Sequence, residues 1–456
     1  MLKGLCSLVL IFLLVNCTEN EENGSSLIKY NIAGKAIEEN GAGVPNVAIK
    51  LSSGLETVTD SRGHFSFNNV TGLPNLTAVS DKGIYMPLSI AVMPNMDSIV
   101  FTKQSVITSA KKAPELYAWL QSQQMSNGLV KSSDLSPVVS LYDNALAALV
   151  FTSTKEYGKA EKIFDFFNGR ISSELTAGQG GFAQFRSLIG QPTGNIWLGD
   201  NAWLLIALNA YELEKPNHNF GRLKSELVKW IKGLQRPDGS LISGYEPNGN
   251  ALNYIVTEGI LDAFHAVPGY DNFHSNCLNY LENSRFDIPT QNLVCDPASF
   301  RYKYSLDNFS WSYSMIPGFP ASILDRADMF YNTKTASANG ASISGYCFDA
   351  DLDAVWPEGT LQIALAYQIA GNNAKSDALL TEMEKLVVPS TNNRNLVGIP
   401  YSSNRTTHYA NSELWLFSES EPVVSSAAFY LFTAYQYNPY AVGRTKVIPQ
   451  TDKFWN

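Results

Sequence analysis

Six acidic residues stand at the head of apolar stretches: Asp143, Asp200, Glu258, Asp307, Glu358 and Glu421. An aromatic lies close to each in the chain, namely Tyr142, Trp197, Tyr254, Trp311, Trp356 and Trp415. Carbohydrate chemistry needs this mixture. An aromatic plate covers the apolar face of a sugar, carboxylates and amides such as Asn201 bind its hydroxyls, and cleavage of a glycosidic bond takes one protonated and one ionised carboxyl group. The competing reading is local, since an acid at a helix start caps backbone N–H groups and favours the helix dipole, for about 1 kcal/mol. Recurrence of acids where Ser or Thr would cap equally well points the set toward a shared site. Asp200 and Glu358 stand out as a catalytic pair. Both follow a tryptophan closely, and Glu358 comes directly after Pro357, where glutamate is a poor cap. The expected roles are Glu358 as general acid and Asp200 as base.

The spacing of these acids defines the elements that must hold them. The phrase of an acid, often Asn or Gly, and then a small apolar helix recurs every 49 to 63 residues, which is room for two helices and two loops. Small residues such as Ala145, Ala147, Ala148, Ala202 and Ala207 mark the first helix of each unit as pressed on both sides. Amphipathic stretches at 156–167 and 222–234 predict second helices with one wet face. Six such hairpins curling closed form an α/α toroid with every acid at one mouth. The fourth copy is the poorest, because Pro317 and Pro320 interrupt the chain just past its first helix. In a six-membered ring the second and fifth repeats face each other. Opposite helix axes would lie roughly 16–20 Å apart, leaving about 4–10 Å between inward carboxyl groups and overlapping the separation of an inverting pair.

Trp197-Leu198-Gly199-Asp200-Asn201-Ala202-Trp203 and Trp356-Pro357-Glu358-Gly359-Thr360 resemble the six-hairpin glycosidase superfamily, which includes glucoamylase-like enzymes, and the similarity covers 113–440. The resemblance implies a glycoside hydrolase acting on an oligo- or polysaccharide. Leu234-Gln235-Arg236-Pro237-Asp238-Gly239-Ser240 is shared by many toroids, including terpenoid cyclases, but the Asp-rich motifs of those cyclases are missing. Two other functions stay open on the same toroid. A polysaccharide lyase would need an acidic sugar and a group to neutralise it, and an acidic mouth disfavours that substrate. A noncatalytic glycan-binding lipoprotein would use the same aromatics without a competent acid pair.

Other residues offer weaker signals. Asp349-Ala350-Asp351-Leu352-Asp353 begins like a calcium loop, yet Ala354 sits where glycine is required and Thr360 where the bidentate glutamate belongs, so it reads better as a substrate-lining loop. Arg301, Tyr302 and Tyr304 precede the fourth repeat and could touch substrate or simply pack. His408, in Arg405-Thr406-Thr407-His408-Tyr409, is the residue a lyase would use for proton abstraction, although such a histidine is more often a loop residue with a local hydrogen bond. Cys277, Cys295 and Cys347 lack any zinc spacing. A Cys277–Cys295 disulfide and buried free thiols are both compatible with their positions. No cofactor and no metal is called for.

Ahead of the helical region, 27–104 carries short alternating runs broken by Gly, Pro and Asn, which predicts an all-β sandwich. Gly34-Lys35-Ala36, Pro45-Asn46-Val47 and Thr59-Asp60 through Gly63-His64-Phe65 resemble the carboxypeptidase regulatory-like domain, with Ala36 in place of the usual opening valine. The resemblance implies a spacer or a protein-partner surface. His64 in the hairpin reads as a surface strand residue. The fold class is therefore a small N-terminal all-β sandwich, 27–104, followed by an all-α six-hairpin toroid, 105–456.

Of the 456 residues 45% are hydrophobic, ample for a large core, while 33 basic against 42 acidic residues give a net charge of −9. That sign excludes a polyanion such as nucleic acid as partner. At the N-terminus, Lys3 is followed by the apolar run 5–15, too short to span a bilayer, and then by Leu14-Val15-Asn16-Cys17. This resembles the bacterial lipoprotein cleavage box, with Asn16 where Gly or Ala is usual, and implies a signal over 1–17 and lipidation of Cys17. The alternative is an ordinary signal peptide cut near Asn16. The polar, acidic segment 18–26 is expected to be a tether, and acids straight after the cysteine resemble surface-export signals of Bacteroidetes lipoproteins. The expected location is the outer membrane or cell surface, with the periplasmic face also open. Cys17→Ala is expected to release the protein from membranes into the soluble fraction, checked by fractionation of expressing cells.

Overall fold

The computed structural model describes residues 29–456, apart from 39, 81–83, 87–89, 105–109 and 300–301. The expected signal, the tether, Cys17 and Arg301 lie outside the described residues.

Short strands with alternate residues buried come first: β1 Tyr30–Ile37, β2 Ala48–Leu51, β3 Glu56–Val58, β4 His64–Val70, β5 Asn75–Val79, β6 Ile84–Met86, β7 Ile90–Ala91 and β8 Ile99–Gln104. They form two four-stranded sheets, ordered β4-β1-β8-β6 and β3-β2-β5-β7. Inward residues of both sheets, among them Ile32, Ile49, Phe65, Leu76 and Phe101, share one hydrophobic core. In the hairpin before β4, one oxygen of Asp60 accepts the backbone N–H groups of both Arg62 and His64 at 2.8 Å. The half-buried His64 ring lies beside the same carboxylate, a local turn role.

From Ala113 the chain is mainly helical, with one four-stranded and four two-stranded sheets among the described residues between helices, which corrects the expectation of an all-α region: these connections pair their backbone N–H and C=O groups in short ladders. Six helices form an inner ring: α2 Leu141–Ser153, α4 Leu198–Glu214, α6 Thr257–Ala266, α8 Leu306–Met315, α10 Pro357–Ile369 and α12 Val424–Ala434. Each packs on the next, and α12 packs back on α2. The outer members are α1 Ala113–Ser122, α3 Tyr157–Asn168, α5 Gly221–Gly233, α7 Asn272–Ser284, α9 Ser322–Arg326 and α11 Asn373–Glu384. The first, α1, is the outer partner of the last inner helix, so the ring closes by joining the two ends of the helical region. Inner helices are buried on every face, as in α4 from Leu198 to Tyr211, whereas α5 buries only Leu223, Leu227 and Ile231 along one stripe. After Pro317 and Pro320, α9 is a single short turn. Among the described residues no helix is long and apolar enough to cross a membrane.

The far end of the ring is filled. Trp203 packs against Trp311, Phe429 and Tyr440 with ring centroids 5.8, 6.1 and 6.0 Å away. Beyond that plug the C-terminal tail supplies basic donors to helix ends, Arg444 as a cation and Lys446 with its ammonium pushed down to about 7 by burial. Lys446 Nζ donates to His265 O near the end of α6 at 2.7 Å, and Arg444 Nη1 donates to Tyr313 O and Ser314 O near the end of α8 at 2.5 and 3.1 Å. Carbonyls at a helix C-terminus lack intrahelical partners and carry negative partial charge, so cations bind there. Arg444→Ala is expected to lower the unfolding free energy by about 1.5–3 kcal/mol, the worth of a charge-assisted hydrogen bond, read from the midpoint of urea denaturation.

Candidate active site

At the other end of the ring, each inner helix begins from extended backbone, and five of the six carry an acid in the first turn. Ser140, Trp197, Val256, Ser305, Trp356 and Val423 occupy the N-cap positions of the six helices. None is acidic. Only α2 has a side-chain cap, where the Ser140 hydroxyl accepts the Asp143 N–H at 3.3 Å. The acids sit two or three positions further in, on α2, α4, α6, α8 and α10, while Glu421 stands just ahead of α12. The capping alternative therefore fails, and the carboxyl groups face a common cavity.

That cavity, of about 1160 Å³, is lined by Asp143, Asp200, Glu258, Asp307, Glu358 and Glu421 together with Tyr142, Trp197, Tyr254, Trp311, Trp356 and Trp415. Every residue expected at the site is brought there except Asn201. Asn201 is fully buried behind the wall, accepting Phe182 N–H at 2.9 Å and donating to the carbonyls of Phe182 and Trp197 at 2.9 and 2.8 Å. Asn144 does the same to Val130 and Ser140. The Asp-Asn phrase thus divides its labour: the acid faces the cavity and the amide staples the incoming chain. This corrects the expectation that Asn201 touches substrate.

Other residues were not foreseen. Asp262, one turn after Glu258 on α6, lines the floor, and the spacing of four that puts both on one helix face was a readable signal. Trp203, Phe348, Tyr401 and Tyr409 complete the aromatic walls. Phe348 and Tyr409 stack with centroids 3.8 Å apart, Tyr401 packs on Trp415 at 5.1 Å, and Trp197 packs on Tyr254 at 5.7 Å. Two glycines make this packing fit. A Cβ on Gly199 would lie 2.8 Å from Asp262 Oδ2, and one on Gly359 would lie 2.1 Å from the Trp356 ring.

Burial dominates the electrostatics. It pushes the Asp200 carboxyl up to about 8, reinforced by the charge of Asp143 and opposed by backbone N–H groups. Asp143 rises to about 7 through burial, with Glu358 adding to it and the Ser132 hydroxyl opposing. Glu358 also rises to about 7 through burial, opposed by hydrogen bonds from Ser425, Tyr142 and Gln362, the Tyr142 hydroxyl donating to Oε1 at 2.8 Å. Asp262 and Asp307 lie well above the carboxylate range through burial and then through neighbouring acids. Asp200 Oδ1, Asp307 Oδ1 and Glu258 Oε2 are buried and accept no hydrogen bond. Glu421 differs, for Oε1 accepts the Trp415 indole N–H at 2.7 Å and Oε2 accepts Leu135 N–H at 2.9 Å.

Of the remaining candidates among the described residues, Tyr302 and Cys295 reach the cavity and the others lie elsewhere. Asp349 to Asp353 do not line the cavity, which corrects their reading as a substrate loop. Asp353 accepts the His408 N–H at 2.8 Å, with the ring 3.2 Å away, and His408 is also outside the lining. Cys347, Asp349 and Asp351, and separately Asp351, Asp353 and His408, bring ligand atoms within 4.8 Å of one another. Tyr302 lines the cavity, whereas Tyr304 bonds Asp287 outside it. Cys277, Cys295 and Cys347 are free buried thiols.

No model of a known family matches the chain, and no curated protein matches it. Among solved structures it resembles a glycosidase variant in complex with glucose, with TM-score 0.52 and 11% identity over 73% of this chain and 97% of that one. It also resembles an α-amylase from Clostridium perfringens, with TM-score 0.52 and 10% identity over 72% of this chain and 98% of that one. The shared feature is the fold, a closed ring of paired helices.

The raised carboxyls also affect stability. Asp143, Asp200 and Glu358 hold protons in the folded state that they lose on unfolding, so their contribution is fully present below about 4 and is lost as pH rises through about 7 to 8. Asp200→Asn is therefore expected to raise the melting temperature, with a gain that is small at pH 4 and grows up to pH 8, as read by calorimetry across that range.

Proposed function

We propose that this protein is a glycoside hydrolase acting on a neutral oligo- or polysaccharide, with Glu258 as general acid and Glu421 as general base. The observation that supports this pair is the contrast in their hydrogen bonding. Both Glu421 oxygens accept N–H groups, the arrangement suited to a carboxylate. Glu258 receives donors on Oε1 alone, leaving a bare buried Oε2 to carry a proton. Hydrolysis needs two carboxyl groups whose surroundings differ in this way. In this reading Asp200 and Glu358, the pair favoured from sequence and both pushed up by burial, bind substrate. With Asp143, Asp262 and Asp307 they form a floor of carboxyl groups that donate to and accept from sugar hydroxyls.

Glu258 and Glu421 belong to the third and sixth positions of the ring, which face each other as the second and fifth do. The same separation of about 4–10 Å applies, which favours water attack with inversion. Half-exposed plates flank them, Tyr254 beside one and Trp415 beside the other. A lyase is disfavoured by the lining, where among the described residues eight carboxyl groups meet one cation, Arg285, and by His408 lying outside it. We further propose attachment through Cys17 at the outer membrane or cell surface, with the two small sheets forming a sandwich that acts as spacer or partner surface.

The test is release of reducing ends from amylose, dextran, laminarin, yeast mannan and xylan by wild type and four isosteric variants. Glu258→Gln and Glu421→Gln are expected to lose about 10²–10⁴ in kcat, while Asp200→Asn and Glu358→Gln mainly raise KM. The reverse pattern would return catalysis to Asp200 and Glu358, an unsaturated product would indicate a lyase, and binding without turnover in wild type would indicate a glycan-binding protein.

A further inference from the structure

Ser305 occupies the N-cap of α8 in extended backbone, φ −118 and ψ 152, where a serine hydroxyl usually accepts an N–H of the first helical turn. It makes no such bond. Its hydroxyl reaches across to α6 and donates to Glu258 Oε1 at 2.5 Å, and the Cys295 thiol donates to the same oxygen at 3.0 Å. Ser140 shows the alternative, capping α2 in the ordinary way. The loop bearing Cys295 is itself fixed on α6, since Thr257 Oγ1, adjacent to Glu258, donates to Val294 O at 2.7 Å while Cys295 N–H donates to Lys303 O at 2.8 Å.

From this geometry we propose that Ser305, assisted by Cys295, is a positioning residue for Glu258. Two donors occupy Oε1 and hold the carboxyl plane, so the proton rides on Oε2, the oxygen left without a partner. Resting on Glu258 as the general acid, the proposal explains why α8 forgoes a cap of about 1 kcal/mol. Burial, then the charge of Glu258, holds the Cys295 thiol far above its usual range, so it remains a donor at any working pH. The other titratable groups facing Glu258 are Asp262 on its own helix, Asp307 on α8, and Tyr302 and Tyr409 from loops.

The test uses the full chain and the panel polysaccharide that wild type cleaves, with kcat, KM and melting temperature measured across pH for Ser305→Ala, Ser305→Thr, Cys295→Ser and Glu258→Gln. Ser305→Ala is expected to lower kcat by up to about a hundredfold with KM little changed. It should also move the alkaline limb of kcat to higher pH, because removing a donor from a carboxyl favours its protonated form. Ser305→Thr and Cys295→Ser, which keep a donor, should stay near wild type. A Ser305→Ala enzyme with wild-type kcat and an unmoved limb, alongside an inactive Glu258→Gln, would overturn the positioning role alone. Full turnover in Glu258→Gln would overturn the acid assignment and this proposal with it. A loss of kcat in Ser305→Ala that tracks its melting temperature, with the alkaline limb unmoved, would show a merely structural serine.

Discussion

Closure of the inner ring is the constraint on which everything else depends. Each of the six inner helices is buried on all sides because it packs on two neighbours, an outer helix and the ring interior. That demands small and apolar residues along its length and leaves one place for chemistry, the open end. Since all six run the same way through the ring, their first turns meet there, and residues far apart in the chain, such as Tyr142 and Glu358, become hydrogen-bond partners. At the opposite end the aromatic plug fills the ring, and Arg444 and Lys446 of the tail bond the ends of α8 and α6.

Convergence of first turns sets two fields against each other. Six helix N-termini bring positive partial charge to the mouth, while the carboxyl groups they carry repel one another and lose hydration. For the deep acids dehydration dominates, as the elevation of Asp143, Asp200 and Glu358 shows. Such a floor is costly for stability, and its protonated carboxyl groups can both donate and accept hydrogen bonds. Glu421 is treated differently because Trp415 and Leu135 supply N–H groups where helix geometry supplies none. Differences between carboxyl groups at one mouth thus arise from the particular donors that reach each one, from loops for Glu421 and from neighbouring inner helices for Glu358.

The same loops divide roles within the repeated phrases. Asp200 and Asn201 are neighbours in sequence, yet successive helical positions point about 100° apart, so one faces the cavity and the other faces Phe182. Ser140 and Ser305 occupy equivalent N-caps, but only Ser305 bonds a carboxyl oxygen and is drawn away from its helix. Repetition in the chain therefore does not mean repetition of function around the ring.

Periodicity alone was enough to reveal six hairpins, the small-residue inner helices, the interruption after the fourth and the set of six acids with their aromatics, because burial on every face and turn chemistry are written in local composition. The structure kept those acids together in one cavity. What local composition could not carry was the surroundings of each carboxyl group: the Trp415 and Leu135 donors on Glu421, the Ser305 and Cys295 donors on Glu258, and Asp262 against Gly199. These are contacts between segments distant in the chain, and the state of a carboxyl group depends on the donors, charges and water around it. Sequence thus determined that a ring of acids and aromatics would form, and only tertiary packing decided which of them are buried toward neutrality, which is held by N–H groups, and that Asn201 serves the wall instead of the cavity.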